Sequence, residues 1–79
     1  MVWRVVEHDA RRWTVKMAAE RRAHSAQWSL VFSFRPADAG QRAIWATYPL
    51  TSTSRAALFA QAEQLTDDVL AALLAEQLP

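Results

Sequence analysis

Apolar and polar residues alternate along the first 50 positions of the chain and then change to a three-to-four-residue spacing. A period of two marks strands with one buried face, and the longer spacing marks a helix. Val2 to Glu7 reads as the first strand and Arg12 to Ala19 as the second, with Asp9-Ala10-Arg11 as the turn between them. Trp3, Val5, Trp13, Val15 and Met17 share one parity; Arg4, Val6, His8, Arg12, Thr14 and Lys16 share the other. A three-residue turn sets Val5 opposite Val15, Trp3 opposite Met17 and Arg4 opposite Lys16. The last pair puts like charges across the ladder, which is destabilising.

Glu20 to Ser25 reads as a polar loop, and Gln27 to Arg35 as the third strand. Trp28, Leu30, Phe32 and Phe34 face one way; Gln27, Ser29, Val31, Ser33 and Arg35 face the other. A six-residue loop brings Trp28 opposite Met17, Leu30 opposite Val15 and Phe32 opposite Trp13. Pro36 has no N–H for a ladder and Gly40 can take a positive φ, so 36–41 reads as a loop. Ala43 to Tyr48 is the fourth strand. Ile44, Ala46, Tyr48 and Leu50 form its more apolar set and are assigned inward, which turns Trp45 outward.

Thr51-Ser52-Thr53-Ser54 supplies hydroxyls that can accept from the free N–H groups of a first helical turn. Arg55 to Gln64 follows as a helix that aligns Leu58, Ala62 and Leu65. Thr66 reads as a second cap, and Asp67 and Asp68 suit the positive end of a helix dipole. Val69, Leu70, Leu73, Leu74 and Leu78 then form a wide apolar stripe, so the segment is two short helices or one broken at Leu65-Thr66. Strands before helices predict an α+β fold: a four-stranded antiparallel meander sheet packed on one face by one or two C-terminal helices. The chain reads as a single small domain, with 1–50 as sheet and 51–79 as the helical segment. Its predicted core is Trp13, Val15, Trp28, Leu30, Phe32, Leu58, Leu70 and Leu73.

Composition narrows the classes. Four tryptophans and three phenylalanines give a small domain the large apolar area it needs. The absence of cysteine removes disulfides and thiolate metal sites. Charges at Arg4 and Glu7 interrupt any signal-peptide core, and the uncharged run Val69 to Ala75 is too short to span a membrane. A cytoplasmic protein is expected.

Few residues could carry catalysis. His8-Asp9 and His24-Ser25 are the adjacent candidates, but neighbours on a strand point to opposite faces. Two histidines in separate turn regions do not make a zinc site, and a single glycine is too few for a phosphate-binding loop. Asp67-Asp68 is accounted for as helix-start charge. A non-enzyme without cofactor or metal is expected.

A surface is the better candidate. Residues 1–42 carry a net charge of +4 and residues 43–79 a net of −3. Either the halves attract each other across the fold, or the basic half meets an anionic partner. The polar parity of the sheet gathers Arg4, His8, Arg12, Lys16 and Arg35, interleaved with Val2, Val6, Val31 and Trp45. One face of such a sheet meets water and ordinarily carries charge. Here the charge is almost all of one sign and carries more apolar area than solvent requires.

Arg4, Arg12, Lys16, Arg35 and Trp45 are therefore the expected partner-binding residues. A protein partner or self-association is favoured, since a net of +1 and a pI near 8.4 fall below the range of nucleic-acid-binding domains. The alternative is a nucleic-acid binder or transcription regulator using the same face. A sheet backed by a C-terminal helix resembles, in topology alone, plant AP2-type and integrase N-terminal DNA-binding domains. No membrane or small-molecule partner is expected.

Overall fold

A computed structural model describes residues 3–21, 23–37 and 42–78. Four strands run in chain order across one antiparallel sheet: β1 (Arg4–His8), β2 (Arg11–Arg21), β3 (Trp28–Pro36) and β4 (Ile44–Ser52). Two helices, α1 (Arg55–Ala62) and α2 (Asp67–Gln77), cover one face. The fold is the α+β meander that the alternation predicts. Among the described residues, no helix is long and apolar enough to cross a membrane. Val2 and Gly40, assigned to the first strand and to the 36–41 loop, lie outside the described residues.

The β1–β2 turn departs from expectation. Asp9 and Ala10 both have φ near +60°, as a two-residue type I′ turn requires. That turn pairs Val6 with Trp13 and Arg4 with Val15, one residue away from the expected register. A one-residue slip exchanges the faces of a whole strand. Val6 is therefore buried at 3% exposure while Val5 is 44% exposed. Arg4 moves to the helix-covered face, and its expected opposition to Lys16 does not occur. Trp3 donates its backbone N–H to Val15 and stacks its ring on Phe32 at 5.7 Å between centroids.

The β2–β3 register also shifts, but by four residues: Met17 lies opposite Phe32, Val15 opposite Phe34, and Trp13 opposite Pro36. β2 runs two residues further towards the loop than the alternation suggests, to Arg21, while β3 begins at Trp28, one residue later than expected. An even shift keeps every side chain on its expected face. Pro36 ends β3 instead of opening the loop, where its missing N–H interrupts no further pairing. In β4, Pro49 and Leu50 fall between the residues that pair with Leu30 and Ser29, forming an irregularity in an edge strand. A proline is tolerated there because the edge has a ladder on one side only.

α2 starts on the expected Thr66, and α1 on Ser54, the last of the four hydroxyls Thr51 to Ser54 expected there, of which Thr51 and Ser52 belong to β4 instead. Ser54 Oγ accepts from the Ala57 N–H and Thr66 Oγ1 from the Val69 N–H. The helical segment is thus two helices, the first ending at Ala62, two residues short of Gln64. The core joins Val6, Trp13, Val15, Leu30, Phe32, Phe34 and Ala46 of the sheet to Leu58, Ala62, Leu70, Leu73 and Leu74 of the helices. Trp28, expected inside, is half-buried at the rim. It lies across from Arg21 at the end of β3, and the guanidinium carbons of Arg21 and Arg55 stand 5.2 and 5.7 Å from its ring centre.

Candidate binding face of the sheet

The face that the helices leave open is built in rows across the strands. Lys16, Ser33 and Trp45 stand side by side on β2, β3 and β4, and Ala18, Val31 and Thr47 form the next row. Small side chains on the central strand lie low between longer neighbours. Val31 and Ser33 are each only 7% exposed although no helix covers them. Trp45 is 61% exposed, the outward position assigned from the parity of β4.

Thr14, Lys16, Ser33, Arg35, Arg42, Ala43 and Trp45 line a hollow of about 660 Å³ on this face. Thr14 hydroxyl donates to the Arg35 carbonyl at 3.2 Å, tying β2 to β3 along one wall. Lys16, Arg35 and Arg42 bring three positive charges to the hollow, and no described acidic residue lines it. Their side chains make no ion pair with any described residue. Among the described residues nothing offsets the mutual repulsion of these cations, which solvent, salt or a ligand would relieve.

The structure gathers three of the five expected residues, Lys16, Arg35 and Trp45, into this one site. Arg12 keeps the same facing but stands apart, paired with Glu7 across the ladder and bordering a separate shallow hollow with Ala10, Arg11 and Ala37. Arg4 is on the other face. Its guanidinium donates to the Glu63 carbonyl at 3.0 Å, to the Leu65 carbonyl, and to Asp67 Oδ1 at 3.4 Å. Those carbonyls follow the end of α1, where a helix leaves acceptors unsatisfied and a cation suits the dipole. Arg4 is a clamp on the helix junction.

His8 follows Arg4 away from the outer face. It lines a hollow of about 550 Å³ with Asp9, Arg11, Trp13, Ile44, Ala75 and Leu78. His24 is exposed in the β2–β3 connection with φ of 67°. Among the described residues no three His, Asp or Glu side chains gather where they could hold a metal ion.

Arg42, Thr14 and Ser33 were not singled out from the sequence. Thr14 and Ser33 carried a signal, since both share the outward parity of Lys16 and Arg35. Arg42 carried none, because it precedes β4 and only the path of the chain brings it beside Arg35. Comparison with protein-family models, with curated proteins and with solved structures finds no match for this chain.

Proposed function

We propose that this chain is a non-enzymatic binding module, suited to serve as a small accessory or regulatory subunit, that engages an anionic macromolecule through the outer face of its sheet. What supports this reading is the convergence of Lys16, Arg35 and Arg42 with Trp45 on one hollow that no described acid lines. Like charges held together without partners disfavour folding, and an anionic ligand turns that repulsion into affinity. Charge on a solvated sheet face is ordinary, but Glu7 and Glu20, which also face outward, lie outside the hollow, and a tryptophan stands exposed beside its cations. Tryptophan and arginine around a small apolar centre also match the composition of interface hot spots, which favours an acidic protein surface. A second reading, nucleic acid, is favoured by the hydroxyls of Thr14 and Ser33, which add phosphate-binding groups to the cations.

The test is retention on immobilised heparin, a polyanion that asks only whether the face works. The protein should be held at about 0.1 M salt, where the screening length is roughly 10 Å. The double variant Lys16→Glu/Arg35→Glu should elute without retention and melt at the same temperature. Failure of the unmodified protein to bind, or equal retention of the double variant, overturns the reading.

A further inference from the structure

Resting on the reading of the outer face as the working surface, we infer that its hollow takes single-stranded nucleic acid, with an unpaired base stacked on Trp45 and neighbouring phosphates held by Lys16, Arg35 and Arg42. The four tryptophans of the chain are not equivalent. Trp3, Trp13 and Trp28 each carry an arginine over the ring, from Arg4, Arg11, and Arg21 with Arg55. Trp45 has no such cation and no ring partner among the described residues, and it is the most exposed of the four. An open indole beside cations that no described acid neutralises is the pairing that binds single strands: a stacking platform with a positive track for the backbone.

Geometry suits the same ligand. The row Lys16–Ser33–Trp45 crosses two strand spacings, about 10 Å, so one nucleotide can reach from the indole to the ammonium. Ser33 lies low between the two, leaving room above β3. Thr14 and Ser33 set hydroxyls beside the charges, where phosphate and sugar oxygens are commonly met. A duplex fits less well, since its bases expose edges to a protein and keep their faces stacked. An acidic protein surface would satisfy the cations, but it would need two separate residues to supply the anion and the flat face that a single nucleotide supplies together. The low net charge of the chain, +1, limits the electrostatic contribution to the few cations of this site.

The experiment titrates a fluorescently labelled short oligothymidylate into the full chain over a series of salt concentrations. A mixed-sequence duplex, an abasic single strand and a polyglutamate peptide serve as competing probes. The oligothymidylate should bind more tightly than the other three. Log affinity should fall with log salt at a slope of about −2, from three phosphate contacts at about 0.7 each. Trp45→Leu should weaken binding about tenfold or more with the slope unchanged, and Trp45→Phe should retain most of the affinity. Lys16→Gln should lower the slope by about 0.7. Should Trp45→Leu fail to fold, the abasic strand tests stacking on the unmodified protein and should lose the same affinity. Equal binding of duplex or polyglutamate, or of the abasic strand, overturns the inference. Retention on heparin without binding of oligothymidylate removes the single-strand assignment and leaves the face; loss of both removes both.

Discussion

Arg4 and Lys16 sit on adjacent strands, yet their charges have opposite fates. On the inner face Arg4 gives its guanidinium to two backbone carbonyls and a carboxylate at the α1–α2 junction. On the outer face the ammonium of Lys16 and the guanidinium groups of Arg35 and Arg42 pair with no described residue. The apolar residues differ in the same way. Phe32 is sealed between β3 and the helices, whereas its neighbour Val31 is almost as inaccessible on a face with no second layer. Low exposure therefore has two origins here. On one face it reflects a packed core, and on the other it reflects small side chains shadowed by long ones. Arg4 on the first face belongs to the fold; the cluster on the second is tied to it by no described ion pair.

Truncating the two neighbours on β3 tests this contrast most severely. Phe32→Ala should cost about 3–5 kcal/mol, because the helices cannot collapse into the space left by a ring. Val31→Ala should cost about 1 kcal/mol, the transfer value of the atoms removed with no sealed cavity behind them. Chemical denaturation of both variants gives the comparison directly. Equal losses would mean that the outer face is structural to the same degree as the core.

Arg4→Ala should come next, at about 1–3 kcal/mol, since it leaves the partly buried Leu65 carbonyl without this donor. Arg4→Lys should recover only part of this, because one ammonium cannot reproduce the fork that spans both carbonyls. Thermal melting measures the loss, and amide exchange at Val69 and Leu70 should quicken if α2 loosens. An Arg4→Ala protein that melts like the unmodified chain, but binds heparin poorly, would return Arg4 to the set of partner-binding residues.

The smallest expected effect has the opposite sign. Ala10 holds a left-handed conformation that costs an L-residue about 1–2 kcal/mol and glycine nothing. Ala10→Gly completes an Asp-Gly type I′ turn and should raise stability by about 1 kcal/mol, less what the unfolded chain gains in freedom. A decrease would show that the hairpin does not depend on this turn, and that something else holds Arg4 on the inner face.

The three strand pairings explain how much of the fold is legible in the sequence. On β3 the alternation is strong, so the inward set Leu30, Phe32 and Phe34 is legible in the sequence; on β4 both parities carry large apolar residues, and the inward Ile44, Ala46 and Tyr48 and outward Trp45 rest on the slightly more apolar set. The caps at Ser54 and Thr66 were legible too, because a hydroxyl before an apolar run is a local signal. The β2–β3 register was misplaced by four residues with no consequence for the faces, since the pleat repeats every two. The β1–β2 register was misplaced by one, and every side chain of β1 changed sides. Val5 and Val6 are both valines, so the pattern of β1 could not discriminate between its two faces. Asp9-Ala10 lacks the glycine that announces a two-residue turn.

Local sequence thus determined the class of fold, the start of each helix and the facing of the strands whose alternation is unambiguous. These depend on side-chain period and on hydrogen bonds within a few residues. The tertiary structure alone decided which face β1 presents, because that choice balances a strained turn against the burial of Val6 and the carbonyls waiting for Arg4. It also decided the make-up of the hollow. Thr14, Lys16, Ser33, Arg35, Arg42 and Trp45 come from three strands and a connection, and only the pairing of those strands sets their charges and rings side by side.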